Sequence, residues 1–463
     1  MSQVDKVLER ADRNFEASLK RLFELIRIKS ISTDPDYKDD CRTAANWMAK
    51  ELSEIGIPSE VRDTTGHPMV VGHRTGENTS GPHVLFYGHY DVQPVDPIDL
   101  WHADPFDPQI VEREDGSKMI VARGANDDKG QLMTIVEAAR AWIEETGDLP
   151  LPFSVMLEGE EESGSPSLEP FLDENKEELS VDLALVCDTS MWDKTTPAIS
   201  VMLRGLVGEE ITLRGPDKDL HSGMYGGAAR NPLHVLSDMI AGLRDETGRV
   251  TLPGFYEGVV ETPDTVKKMW ENLKFSEEEF LGGIGLKTAG GEKDRTTLEQ
   301  VWTRPTCDVN GLWGGYTGEG FKTVIPSEAH AKVSFRLVGD QDPEKVRQSF
   351  HDYLKSKTPE DFELVLHPHG GDRALRMDFD SPVLLKGQKA LQDEWGKEAA
   401  LVGCGGSIPI VGSFKRILNM DSLLIGFGLD EDQIHSPNEK YELNSYYRGI
   451  RSWIRVFHEL SKG

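Results

Sequence analysis

Short apolar runs recur along this chain, and several of them end in a histidine or an acid. Val84 to Tyr87 reads as a buried strand that Gly88 stops, and His89 and Asp91 then follow two apart, so that both side chains point the same way. The carboxyl ends of strands are where an open α/β sheet places its chemistry. An imidazole that holds a metal needs a fixed tautomer, and a nearby carboxylate can take its other ring N–H or orient a metal-bound water. The chain has 13 histidines, and a surface or satisfied core position is the commoner fate of any one of them.

The pattern repeats, and the repetition carries the argument. Met119 to Ala122 reads as a strand running into Asp127 and Asp128 at the head of a helix with Leu132, Ile135, Val136 and Ala139 on one stripe. One aspartate serves as an N-cap; a second is free to bind a cation. Phe153 to Leu157 opens into Glu158-Gly-Glu-Glu-Glu-Ser-Gly-Ser165, where repulsion among adjacent glutamates calls for a counter-charge. Leu183 to Cys187 ends at Asp188, and Leu423 to Phe427 precedes a loop carrying His435. His89, Asp127, Glu161 or Glu162, Asp188 and His435 thus each follow a strand of what reads as one sheet. Two imidazoles with several carboxylates, and no cysteine among them, suit a pair of dications, zinc first, with manganese or cobalt as alternatives. Two metals sharing a carboxylate point to metal-assisted hydrolysis, in which a bridging water becomes the hydroxide nucleophile and a non-ligand glutamate moves the proton.

Composition removes other classes. With 463 residues the chain exceeds one ordinary core, so two domains, or three, are expected. The 80 acidic against 51 basic residues, a net charge of -29, disfavour nucleic acid and anionic membrane as partners. Cys41, Cys187, Cys307 and Cys404 form no Cys-x-x-Cys pair, which fits a reducing cytoplasm. Met1 to Lys20 has no apolar run like a signal peptide, and no stretch reaches membrane-spanning length, so a cytoplasmic protein is expected. Helical spacing places one amphipathic helix over Phe15 to Ile26 and another from about Cys41 to Ile55, with Gly56 as its C-cap.

Six segments, Gly88-His-Tyr-Asp91, Gly124-Ala-Asn-Asp-Asp-Lys-Gly130, Glu158-Gly-Glu-Glu-Glu-Ser-Gly-Ser165, Asp219-Leu-His-Ser-Gly223, Gly405-Gly-Ser-Ile-Pro409 and His435-Ser-Pro-Asn-Glu439, closely resemble the co-catalytic di-zinc metallopeptidases. This is the family of carnosinase, carboxypeptidase G and succinyl-diaminopimelate desuccinylase, and the carnosinase-like dipeptidases are the nearest branch. The resemblance implies an α/β fold: a mixed-sheet catalytic domain over residues 1–198 and 378–463, with an inserted α+β lid and dimerisation domain over 199–377. Alternating strands over Ile199 to Gly215 and Ala331 to Val338, and an amphipathic helix over Asn231 to Arg244, agree with such an insert, and Phe255 to Tyr316 reads as a long lid excursion.

By position the resemblance implies Asp127 as the bridge between two metals, with His89 and Asp188 on one and Glu162 and His435 on the other. It implies Glu161 as general base, Asp91 as the residue that orients His89, and a cis peptide from Asp127 to Asp128. His221 resembles a histidine that acts on the oxyanion across a homodimer interface. Arg336, Ser407 and Asn310 resemble substrate-binding positions, the first two for a carboxylate. The implied reaction is cleavage of the amide bond of a dipeptide or similar small peptide. An N-acyl-amino-acid deacylase or carboxypeptidase with the same centre is the alternative, followed by a non-catalytic metal-dependent binding protein.

Overall fold

Residues 2–76, 79–405 and 408–462 are described by the computed structural model. The chain divides into two compact units, one of Met1–Val201, Met377–Val402 and Ser413–Gly463, the other of Met202–Arg376 and Gly403–Gly412. The segment 403–412 thus groups with Met202–Arg376, whereas the sequence places it in the second catalytic segment, 378–463. Within that second unit a Cβ on Gly403 would stand 2.5 Å from Trp302, so only glycine at 403 packs that closely on the indole.

The first unit is built on a mixed sheet. Its strands are β1 (Ser59–Arg62), β2 (Met69–Arg74), β3 (Val84–His89), β6 (Phe153–Glu158), β7 (Leu183–Val186), the strand Asp421–Leu424, and β8 (Ala198–Leu203), while β4 (Gln109–Glu112) and β5 (Lys118–Val121) lie elsewhere. The order through this unit is β1, β2, β6, β3, β7, Asp421–Leu424, β8. The central pairings β6 with β3, β3 with β7 and β7 with Asp421–Leu424 are parallel. Parallel strands are buried on both faces, which is why β3, β6 and β7 are buried at every position and show no inside-outside alternation.

Helices α1 (Gln3–Ile26), α2 (Lys38–Glu54) and α3 (Lys129–Thr146) belong to this unit. Leu443–Ser461 packs on α1, on α3 and on the helix Pro382–Trp395, while α2 covers β1 and β2. The helix α1 opens with a capping box between Ser2 and Asp5 and turns Val7, Leu22, Leu25 and Ile26 inward. Gly56 ends α2 at φ +93°, a left-handed value that glycine adopts without strain.

One expectation fails here. Asp127 does not follow a strand of the main sheet, because β5 pairs antiparallel with β4 and with Lys440–Glu442 in a separate three-stranded sheet.

The second unit carries a four-stranded antiparallel sheet in the order Thr306–Gly314, Glu328–Leu337, Gly205–Arg214, Glu363–Asp372. Helices Pro232–Ala241 and Pro343–Lys357 pack against it over a core that includes Val207, Ile211, Leu236, Met239, Phe335 and Phe350. Ile199 to Gly215 is two strands broken at Arg204. The stretch from Phe255 to Tyr316 contains three short helices and ends in Thr306–Gly314, the edge strand of the sheet.

Candidate metal centre

Strand geometry delivers the first candidate ligands. His89 ends β3 and Asp188 stands two residues beyond the end of the adjacent parallel strand β7, so ladder spacing brings them together. Asp127 approaches from the separate small sheet. The imidazole Nε2 of His89 lies 3.2 Å from Asp127 Oδ1 and 3.8 Å from Asp188 Oδ2. On the other side of Asp127, His435 Nε2 lies 2.9 Å from Asp127 Oδ2 and 3.2 Å from Glu162 Oε2. The residues therefore form two groups, His89, Asp127, Asp188 and Asp127, Glu162, His435, with the ligand atoms of each within 4.8 Å of one another. Ligand bonds of about 2 Å put tetrahedral partners roughly 3.3 Å apart, so these separations suit a dication in each group. His89 Nε2 is also buried without a hydrogen-bonding partner, as a ligand atom awaiting a cation would be.

The residues around the two groups fix their orientation. His89 Nδ1 lies 3.2 Å from the backbone oxygen of Asp91 and 3.3 Å from its Oδ1, leaving Nε2 to face Asp127. Asp91 Oδ2 accepts the backbone N–H of Glu162 at 3.0 Å, and Gln93 Nε2 donates to Glu162 Oε2 at 2.7 Å. The His89 backbone N–H donates to Asp128 Oδ2 at 3.2 Å, and the peptide from Asp127 to Asp128 is cis.

Among the three adjacent glutamates, Glu160 is buried and accepts the backbone N–H groups of His67 and Ser167 at 2.9 and 3.1 Å. Its carboxylate is therefore committed to the protein. Glu162 sits in a ligand group and Glu161 in neither, at the start of the turn Glu161–Ser163.

The electrostatics follow from crowding acids in a buried place. Burial, then repulsion from Asp127, pushes the Asp188 carboxyl up to about 7. Burial also raises Glu161; His89 opposes that rise, and Glu162 adds to it. For Asp127 burial works against ionisation, but His435 and His89 outweigh it and hold the carboxyl well below the usual range. His435, beside Asp127 and Glu162, is pushed up to about 10. A dication in each group would relieve this repulsion and displace the imidazole protons.

The remaining candidates lie in the second unit. His221 is exposed at the end of Leu220–His221, and its Nδ1 accepts the Gly223 N–H at 3.0 Å, which leaves the proton on Nε2. Arg336 is half-buried on Glu328–Leu337, and Asn310 is exposed at a bulge of Thr306–Gly314. Ser407 lies outside the described residues.

Sequence reasoning missed Arg204, whose Nε donates to the Gly405 carbonyl at 2.9 Å and whose pKa burial and the adjacent Arg336 push down to about 10. It also gave no role to Glu439, which lies in the quoted His435 motif but shows its partners only in three dimensions.

The model of the peptidase family M20/M25/M40 matches residues 85–459. The Cys-Gly metallodipeptidase dug1 of Schizosaccharomyces pombe is 30% identical to this chain, over 99% of the chain and 98% of the relative. The human Beta-Ala-His dipeptidase is 26% identical, over 99% and 93% respectively. A solved metallo-carboxypeptidase, Sso-CP2 from Sulfolobus solfataricus, superposes with a TM-score of 0.79 at 30% identity, over 96% of this chain and 99% of that one.

Proposed function

The chain belongs to peptidase family M20/M25/M40 and is a metal-dependent dipeptidase, and on that premise we propose that the two groups meeting at Asp127 are its two-metal centre. The observation that carries this reading is the single carboxylate reached by both imidazoles, His89 at 3.2 Å and His435 at 2.9 Å. Zinc suits the mixed nitrogen and oxygen donors, and manganese or cobalt would also fit.

Two bound dications would supply a water of lowered pKa and a polarised scissile carbonyl. Glu161 takes the proton of the attacking water and returns it to the leaving amine; its raised pKa suits that exchange. Asp91 keeps His89 in the tautomer that offers Nε2. The partner subunit's His221 donates its Nε2 proton to the oxyanion, a role supported by the tautomer that Gly223 imposes. Arg336, with Arg204 beside it, receives the free carboxylate of the substrate, and this reading keeps Ser407 and Asn310 as further substrate-binding residues.

Residues 1–198 and 378–463 then form the catalytic domain, and 199–377 the lid and dimerisation domain. A homodimer is supported by Val309, Leu312 and Trp313, exposed along the edge strand of the insert's sheet. A cytoplasmic site of action is supported by four cysteines that are all free. No helix among the described residues is long and apolar enough to cross a membrane.

The likeness to Sso-CP2 keeps a carboxypeptidase as the second reading. One experiment separates them: chelated protein is reloaded with Zn or Mn and offered free dipeptides, N-acyl amino acids and longer peptides. Metal-restored cleavage of dipeptides is the expected result. Cleavage confined to acyl amino acids, or to the carboxyl ends of longer peptides, would move the chain to the deacylase or carboxypeptidase reading.

A further inference from the structure

Glu439 is fully buried, and its two oxygens accept four hydrogen bonds. Oε1 takes the backbone N–H groups of Asn126 at 2.9 Å and Asp127 at 3.0 Å, while Oε2 takes the Gly124 N–H at 3.0 Å and Arg123 Nη1 at 2.8 Å. Seven residues upstream, the equally buried Asp432 does related work. Its Oδ2 accepts Asn126 Nδ2 at 2.9 Å and the Leu429 N–H at 2.8 Å, and its Oδ1 accepts Lys440 Nζ at 2.5 Å. The backbone adds a bond from Ala122 N–H to the Glu439 carbonyl at 3.1 Å. Both ends of the loop carrying His435 are therefore pinned to the turn carrying Asp127, and His435 stands between the pins.

We propose that Glu439, assisted by Asp432, is a positioning residue that sets the second metal site, Asp127, Glu162 and His435, and does so more than the first. The asymmetry follows from what else holds each ligand. His89 and Asp188 extend from β3 and β7, whose separation the strand ladder fixes without help from the loop. In the second site two of three ligands, Asp127 and His435, owe their position to this brace, against one of three, the shared Asp127, in the first. A glutamine at 439 is isosteric but presents an amide N–H₂ to a backbone N–H or to Arg123, so one pair of bonds turns from attraction to donor against donor.

This inference rests on the two-metal reading, and the test keeps the two apart. Mn²⁺ alone is titrated into metal-free wild type, Glu439→Gln and Asp432→Asn, with the number of ions bound and each Kd read by calorimetry. Circular dichroism of the same samples reports the fold. The expected result is two ions on the wild type, and on Glu439→Gln a second-ion Kd raised about 10–100-fold with the first little changed. Excess Mn²⁺ should recover much of the lost kcat. Two ions bound with wild-type affinities by Glu439→Gln, or an equal loss of both, overturns the brace. If Glu439→Gln is unfolded, Asp432→Asn decides by the same criterion, with a smaller effect expected. A wild type that binds fewer than two ions would instead overturn the two-metal reading itself.

Discussion

Asp91 Oδ2 accepts the backbone N–H of Glu162 at 3.0 Å while Asp91 Oδ1 lies 3.3 Å from Nδ1 of His89. One carboxylate therefore orients His89 of the first candidate group and anchors the turn that carries Glu162 of the second. Asp91→Asn places an amide where either the imidazole or the Glu162 N–H loses its acceptor. Metal affinity should fall by about 10–100-fold at both sites, the size usual for a partner of a ligating histidine. Calorimetric titration of the metal-free variant checks this, and weakening confined to the His89 site would mean that the Glu162 contact is dispensable.

Glu161 is the glutamate left free of both ligand groups. Glu161→Gln should keep both metals and the melting temperature, yet lose about 10²–10⁴-fold in kcat, the range expected for a general base. Metal content and steady-state rates on one dipeptide are the measurements. Near-normal turnover would remove Glu161 from the proton transfer.

His221→Ala should lower kcat with little change in KM, since a donor to the oxyanion acts in the transition state; a loss of about 10²–10³-fold is expected. If the histidine serves the partner's site, mixing His221→Ala with Glu161→Gln subunits should return part of the activity, because one of the two sites in each mixed dimer then has both groups. Mixtures no more active than the variants apart would show that His221 acts within its own chain or not at all.

Glu178 supplies a pH effect remote from the metals. Its carboxylate receives Arg62 Nη1 and Nη2 at 2.7 and 2.8 Å and lies 2.8 Å from His73 Nε2, and the hydrogen bonds from Arg62, opposed by partial burial, pull its pKa down to about 2. A depressed folded-state pKa gives stability that is present above the unfolded value of 4.5 and is lost as pH falls toward 2. The site is partly exposed, so Glu178→Gln should cost at most about 1 kcal/mol at pH 7. Urea unfolding of both proteins at pH 7 and pH 3 should show the difference shrinking at the lower pH, and a constant difference would exclude a charge-based effect.

Much of the fold was legible because its signals are local. The apolar runs of β3, β6 and β7 need no partner to be recognised as buried strands, and His89 at the end of β3 and Asp188 two residues past β7 stand at the carboxyl ends of strands by chain geometry alone. The second unit was harder: Thr306–Gly314 is an edge strand with exposed Val309 and Leu312, so burial left little periodic trace in it.

The sequence by itself determined which residue types could hold metal and that several of them stand at strand ends, since strand periodicity and glycine stops act between near neighbours. Only the tertiary structure decided that Asp127 arrives from a separate small sheet. It also decided that Glu160 is spent on the N–H of His67, 93 positions away, and that Glu439 reaches back 312 positions to hold the Asp127 backbone. The reason is physical: a hydrogen bond is satisfied by whatever donor the fold brings within about 3 Å, and contacts across hundreds of residues leave no mark in the spacing of either segment.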